Sequence, residues 1–465
     1  MKIYCSNKLY VEEPTSYIKQ FVKDRLTFAN PDYAILEKMG KWTGGTPKEI
    51  VLYEKIGDNL VLPFGVLNIV RNNFTDSSTK FYGKFANNGK RNIPSRIKLY
   101  DYQERVVSKA LVAKNGVIVM PCGSGKTQSA LELASRLGKR TLWLTHTQDL
   151  LNQSMERAKS CLDVPISEYG TITAGKVNIG NTITFATVQT MCNIKLEDYK
   201  YTFDVVIVDE CHKCVGTPTS VMMFYKVVSS LSARYKFGIT ATPKRADGLE
   251  RCMFALLGDK IDEVTKEEVK NTTCPIEVQV LKSSYKPDMN MVLAADGTIM
   301  YAGLIDDLIN NKERNQLIVE DLRRRQGTCL ILSDRLAHLD TLYKMLNCPA
   351  TSEKLDGTSN TKASKENRKQ VLSKLNNGLI KYVFATYKLA KEGLDIPTLR
   401  NLVLATPVKD PTTVQQSTGR VGRKAEGKSK GVVVDIVDDF GLLYGYYRKR
   451  KSIYKKLDYN LVDIY

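Results

Sequence analysis

The chain has 465 residues, 43% hydrophobic and 26% charged. That is enough for roughly two to four domains with their own cores, and too balanced for wholesale disorder. Apolar runs of about 18 residues are absent, which excludes a membrane-spanning helix, and the opening MKIYCSNKLYVEEP lacks the apolar centre of a secretory signal. Lys and Arg number 69 against 50 Asp and Glu, a net charge of +19 that suits a polyanion such as nucleic acid, or serves solubility alone. The ten cysteines are scattered without a secretory context and read as reduced thiols.

In chain order, residues 1–95 read as a small mixed α+β domain, with strands expected near 50–53 and 59–64. Its last part, 71–98, holds seven Lys/Arg and one acid, Asp76, with Phe74, Phe81, Tyr82 and Phe85 interleaved. Two readings stand for it: a loop whose cations follow phosphates while Phe81, Tyr82 or Phe85 stack on unpaired bases, or a solvated linker carrying core aromatics. Residues 96–265 then alternate apolar β-rich runs (116–120, 141–145, 182–186, 203–208, 236–239) with helical stretches such as 148–159. Near-continuous apolar strands between helices indicate a parallel sheet covered on both faces. The pattern weakens over 259–300, and 266–300 reads as a connecting or inserted segment. A second alternation fills 301–440, with strands at 328–332, 381–385, 401–405 and 431–437 and helices at 304–325, 335–346 and 361–377. The tail, 441–465, is basic and aromatic, and reads as a helix packing its tyrosines on the preceding domain in preference to touching nucleic acid.

Three motifs carry chemistry. The strand 116–120 runs into Pro121, Cys122, Gly123, Ser124, Gly125, Lys126 and Thr127 ahead of a helix. Glycines let backbone N–H groups turn inward around phosphate oxygens, the helix N-terminus favours the anion, Lys126 reaches the β- and γ-phosphates and Thr127 ligates Mg²⁺. About 80 residues on, the strand 203–208 delivers Asp209 and Glu210 at its tip. Asp209 suits the metal and Glu210 the activation of an attacking water. Cys211 and Cys214 flank His212 with CxxC spacing, but no second pair exists to complete a zinc site. Far downstream, Gln416 leads a run containing Arg420 and Arg423, three apart and expected on one helical face, where both meet a phosphate.

Together these motifs resemble those of the superfamily 2 helicases over residues 96–437. Thr240, Ala241, Thr242 and Pro243 resemble the motif that couples nucleotide to nucleic acid, and Ala385-Thr386 through Gly393, Leu394, Asp395 and Pro397 is similar to a further family motif. Gln103 resembles the adenine-reading glutamine. Thr145, Thr187, Gln189 and Thr386 match strand-contacting positions. The stretch from Thr240 to Asp247 is similar to XPB-type repair helicases and to the branched-DNA helicases of large bacteriophages, while the motif around Asp395 is closer to a DEAD-box form.

The resemblance implies two tandem RecA-like parallel-sheet domains behind the small N-terminal one. It also implies ATP with Mg²⁺ as cofactors, Gly393 and Asp395 near the nucleotide, Arg420 and Arg423 on the transition state, and Thr240, Thr242 and Gln416 as coupling residues. The implied activity is an ATP-dependent DNA helicase or translocase on forked, branched or single-stranded DNA in replication, recombination or repair. It would work in the cytoplasm, that of the host for a viral chain. An RNA helicase, the motor subunit of a multi-chain DNA-processing complex, and a non-catalytic ATP-gated clamp are the alternatives.

Overall fold

The structure, a computed structural model, describes every residue except 122, 215–222, 242, 244–247, 271–272, 295, 356–361, 392–393, 395 and 465. The chain forms two compact units whose main boundary lies between Glu268 and Val269, the short stretch 122–124 being grouped with the second.

The first unit opens with a five-stranded sheet whose first two strands alternate buried with more exposed residues. Its strands are β1 (Lys2–Cys5), β2 (Lys8–Glu12), β5 (Glu54–Ile56), β6 (Asn59–Pro63) and β7 (Lys80–Gly83), in the order β5-β6-β2-β1-β7; β3 (Thr27–Ala29) and β4 (Glu49–Val51) form a separate antiparallel pair. Alternation puts Ile3, Cys5, Leu9, Val11, Leu60 and Leu62 on one face, where they meet Ile18, Val22 and Leu26 of the helix Ser16–Leu26. This core is completed by Cys252 and Ala255 of a helix far along the chain, Glu250–Leu257. The approach is so close that a Cβ on Gly65 would lie 2.5 Å from the Ala255 carbonyl oxygen.

Segment 71–98 is neither a solvated linker nor a plain loop. Phe74, Phe81 and Phe85 pack on the N-terminal core, and Tyr82 alone of the four aromatics is exposed. Beyond Lys84 the chain is a strap pinned by backbone bonds, from Ala86 N to Ser232 O (2.9 Å) and from Arg91 N to Gly138 O (2.8 Å).

The same unit holds an eight-stranded sheet. Its strands are β8 (Asn115–Val119), β9 (Thr141–Thr145), β10 (Gly170–Thr173), β11 (Lys176–Asn178), β12 (Ile183–Thr187), β13 (Val205–Asp209), β14 (Tyr235–Thr240) and β15 (Lys260–Glu263). The order is β11-β10-β12-β9-β13-β14-β8-β15, parallel except for the β10–β11 pair. The five expected strands fall within two residues of where the apolar runs place them. Since β13, β14 and β8 are neighbours, their C-terminal tips bring Asp209, Thr240 and the chain after Val119 together.

The second unit is a seven-stranded, all-parallel sheet of order β18-β19-β17-β20-β21-β16-β22. Its strands are β16 (Ile276–Ser283), β17 (Cys329–Ser333), β18 (Ser352–Lys354), β19 (Tyr382–Thr386), β20 (Asn401–Leu404), β21 (Gly431–Asp438) and β22 (Asn460–Asp463). Two expectations need correction here. The stretch 266–300, read as a connection, supplies β16, and the tail supplies β22 beside it. Both lie at the sheet margin, where Glu277 of β16 pairs with Lys430 (2.7 Å) and the Gln279 amide oxygen accepts from Arg325 (2.9 Å), while β22 is a four-residue strand with Asn460 and Asp463 at its ends, so neither is a continuous apolar run. The helix expected over 304–325 is two, Tyr301–Asn310 and Lys312–Arg324, because Asn311 breaks the first and caps the second through Arg314 N (2.9 Å). The tail does form a helix, Gly441–Lys456, with Tyr447 and Tyr454 buried. Among the described residues no helix is long and apolar enough to cross a membrane.

Lys236 ties the two layers of the first unit together. Fully buried on β14, its Nζ donates to Val228 O (3.0 Å) and sits 4.5 Å over the Phe64 ring. Burial drives its pKa down to about 7. The unfolded chain therefore binds one more proton than the folded one between about pH 7 and 10.5, and stability rises with pH across that window. Lys236→Met should be more stable than the parent at pH 7. Its advantage should shrink by about 1.4 kcal/mol per pH unit on going toward pH 10, read from urea midpoints of the two proteins.

Candidate functional site

The phosphate loop is built by conformation before chemistry. Strand β8 is wholly buried, Met120 closes it with a bond from its N–H to Thr240 O (2.9 Å), and half-buried Pro121 turns the chain. Gly123 and Gly125 take φ of +84° and +79°, which side chains resist, and Gly125 is the N-cap of the helix Lys126–Leu137. Ser124 is buried, while Lys126 and Thr127 are half-buried at the first turn. Gln103, expected to read adenine, is itself buried against this loop. Its Oε1 accepts from Tyr100 N (3.0 Å), closing a helix cap, and a Cβ on Gly125 would collide with its Nε2.

Asp209 ends β13, and its Oδ1 accepts from Glu210 N (3.0 Å). Glu210 is held left-handed at φ +51°, an uncommon state for a side-chain-bearing residue. His212 Nδ1 stands between Glu210 Oε2 (3.3 Å) and Thr240 Oγ1 (3.1 Å), so the threonine expected to couple and the expected base share one imidazole. Burial, and then the charge of Glu210, push the Asp209 carboxyl up. For Glu210 the same burial is outweighed by His212 and the charge of Lys126, which hold its carboxyl low. Two neighbouring carboxylates that resist ionising together fit a divalent cation, whose charge would relieve the pair, and Thr127 supplies a hydroxyl. Cys211 has another use: its Sγ lies 3.4 Å from Met253 Sδ, room that Gly238 makes by lacking a side chain, and both Cys211 and Cys214 are buried in the apolar core with thiols pushed up by burial.

The residues expected on nucleic acid divide. Thr145 is fully buried and its hydroxyl bonds to Thr147 O (3.2 Å) and Ala186 O (3.3 Å), so in this structure it shapes the loop after β9. Thr187 pairs with Thr190 (3.0 Å), and Gln189 Nε2 donates to His146 O (2.7 Å), joining the loops after β12 and β9. Thr386 ends β19 and accepts from Leu389 N (3.3 Å). Cys122, Thr242, Gly393 and Asp395 lie outside the described residues.

In the second unit, Gln416 is on the helix Pro411–Thr418, which Asp410 caps through Thr413 N (2.9 Å). Arg420 follows in the 3₁₀ turn Gly419–Gly422 and donates to Leu394 O. Arg423 is already extended, at φ −70° and ψ 136°. The expected single helical face for Arg420 and Arg423 therefore does not exist, because the α-helix stops at Thr418.

The sequence reading missed what holds this helix. Three carbonyls between β20 and Pro411 accept buried side chains: Ala405 O from Arg314 (2.9 Å), Thr406 O from the Tyr387 hydroxyl (2.7 Å) and Val408 O from Arg450 (3.0 Å). Arg314 is fixed by Asp438 (2.6 Å) and Arg450 by Asp435 (2.7 Å), which also accepts from the Tyr454 hydroxyl (2.9 Å). A signal existed, since Leu443, Tyr447, Arg450 and Tyr454 recur at helical spacing and put an arginine on the buried stripe of the tail helix. Arg450→Met leaves Asp435 charged and buried without its partner and should cost about 3–5 kcal/mol in urea unfolding. Arg450→Met combined with Asp435→Asn should recover much of that loss.

Taken one after the other along the chain, the two parallel sheets define two RecA-like domains, the first carrying the Gly123–Thr127 loop and the second the run with Arg420 and Arg423. Residues 96–245 match the type III restriction enzyme res subunit family, and residues 311–425 match the helicase conserved C-terminal domain. A protein of Acanthamoeba polyphaga mimivirus named as an ATP-dependent RNA helicase, L396, is 28% identical over 75% of this chain, which spans 65% of that protein's length. The DNA 3'-5' translocase XPB2 of Sulfurisphaera tokodaii is 24% identical over 77% of this chain and 86% of its own. The ATP-dependent Type ISP restriction-modification enzyme LlaBIII, solved bound to DNA, shares the fold with a TM-score of 0.56 at 17% identity, over 77% of this chain and 30% of that one. With both helicase modules matched in order, the chain belongs to the superfamily 2 helicases.

Proposed function

We propose that the protein is an ATP-dependent DNA helicase or translocase that acts on forked or branched DNA in replication, recombination or repair. The observation that carries the reading is the Thr240–His212–Glu210 contact, one strand away from the phosphate loop. Lys126 binds the β- and γ-phosphates from the first turn of its helix, with backbone N–H groups of 123–126 around them. Thr127 and Asp209 would hold Mg²⁺, which would supply positive charge beside the phosphates. Glu210, kept ionised by His212 and Lys126, takes the proton from the water that attacks the γ-phosphorus as the bond to the β,γ-bridging oxygen breaks and ADP leaves. The motif order assigns Arg420 and Arg423 to the charge that develops on the transferred phosphoryl group. Thr240 reports the state of Glu210 to the strand-contacting loops of Thr187 and Gln189. The net charge of +19 supports a nucleic acid, and a relative named as a DNA translocase supports DNA. The second reading, an RNA helicase, rests on the name of the mimivirus relative.

ATPase rates with single-stranded DNA, duplex, fork, four-way junction and RNA, measured side by side, separate the two readings. The proposal expects the largest stimulation from forked or four-way DNA; equal or greater stimulation by RNA would favour the second. Lys126→Ala should abolish turnover. Glu210→Gln should retain bound ATP while turnover falls about 100-fold or more. Arg420→Ala should lower kcat with little change in KM for ATP, the mark of a contact made in the transition state.

A further inference from the structure

The N-terminal sheet buries one face and presents the other. On the presented face, cross-strand register places Tyr10 of β2, Tyr4 of β1 and Tyr82 of β7 in a single row. Tyr4 and Tyr82 are 38% and 45% exposed, whereas Ile3 and Leu9 on the opposite face are fully buried. The Tyr4 and Tyr82 rings stack at 5.0 Å with 18° between their planes, and Tyr10 leans on Tyr4 at 6.2 Å. The next row is Glu12, Lys2 and Lys80. Glu12 answers Lys2 (3.5 Å), while Lys80, two residues from Tyr82, makes no ion pair among the described residues.

Strand β7 is the last in the sheet and pairs only with β1, so the ring row ends at Tyr82 at an open edge. That edge is basic. Arg71 lies 4.9 Å over the Phe81 ring, Lys80 and Lys84 are exposed on the same strand and its exit, and 71–98 contains one acid against seven cations. A stack of rings with an uncovered end, flanked by cations without matching acids, suits a polymer of planar bases joined by phosphates. A duplex keeps its base faces covered and could use only the cations.

We propose that the β7 edge is a binding site for single-stranded nucleic acid, in which a base extends the Tyr10–Tyr4–Tyr82 row and the flanking phosphates lie along Lys80, Arg71 and Lys84. The inference rests on the reading of the chain as a nucleic-acid motor and adds to it a strand-holding site distant in sequence from every helicase motif. Aromatic stacking is sequence-tolerant, so the site distinguishes unpaired from paired strands, not one base from another.

The test uses the full chain and two 15-nucleotide probes, oligo(dT) and an abasic oligomer of equal length, by fluorescence anisotropy. Tyr82→Ala should weaken oligo(dT) binding at least about fivefold and leave abasic binding unchanged, and Tyr82→Phe should restore the parent affinity. Lys80→Ala should weaken both probes and lower the slope of log affinity against log salt by about one. Equal loss of both probes in Tyr82→Ala, or no loss of either, would overturn the proposal. So would a shift from dimer to monomer in sedimentation of Tyr82→Ala, which would make the face a contact between copies. If the parent protein bound neither probe and its ATPase ignored every nucleic acid, the motor reading itself would fail; if only the Tyr82 arms failed, that reading would stand without this site.

Discussion

Asp209 and Glu210 put two negative charges on adjacent residues at the tip of a strand whose preceding four residues are buried. Such a pair cannot be left to itself. Burial opposes both charges, and each charge opposes the other. The fold answers by backbone geometry and by neighbours. Glu210 is turned into the left-handed region, so its side chain leaves the strand direction and comes within reach of His212, and Lys126 supplies a cation from the adjoining loop. Much of the surrounding sheet is arranged to permit this. Gly238 is bare because the Cys211 side chain occupies its space, and Met120 joins Thr240 so that the tips of β8 and β14 stay level.

The second unit solves a different problem by the same means. Its helix Pro411–Thr418, which carries Gln416, follows a connection after β20 in which the carbonyls of Ala405, Thr406 and Val408 need partners. Buried arginines and a tyrosine take them, and the carboxylates of Asp438 and Asp435 neutralise the arginines. A buried ion pair is a poor source of stability but a strict one of geometry, since each guanidinium must meet both its carboxylate and its carbonyl. His338 extends the principle: its Nδ1 faces Ser333 (3.1 Å) and its Nε2 faces Asn315 (2.9 Å), and burial lowers its pKa to about 3, so it stays a neutral link between helix and strand.

What the sequence made legible follows from these constraints. Strands buried on both faces, such as β8, β9 and β13, read as continuous apolar runs, and their tips carry motifs whose spacing is chemical. The margins of the second sheet were hidden because β16 interrupts its apolar residues with Glu277 and Gln279, which pair sideways, and β22 is only four residues long with polar ends. Thr145 sat at the right position in a motif, yet the sequence does not say that its hydroxyl would close on Ala186 O. Arg420 and Arg423 have helical spacing, but nothing in the spacing shows the helix ending at Thr418. Among the aromatics of 71–98, Phe against Tyr was the one readable clue. Phe74, Phe81 and Phe85 went inward, while Tyr82, with a hydroxyl that tolerates water, stayed out.

The N-terminal layer depends on a trade between its two faces. Its core includes Cys252 and Ala255 from the helix Glu250–Leu257, with Gly65 allowing backbone contact and Lys236 spanning the junction to Phe64. Side chains on one face of a pleated sheet commit the other face to the opposite orientation. Once Ile3, Leu9 and Leu62 are turned toward that helix, Tyr4, Tyr10 and Tyr82 must stand on the far side in register, and β7, the last strand, must leave one ring at the edge. The aromatic row is thus fixed by the docking of this layer onto the first RecA-like sheet. A change that loosened Gly65 or Lys236 would reach the tyrosines through strand register, without touching them.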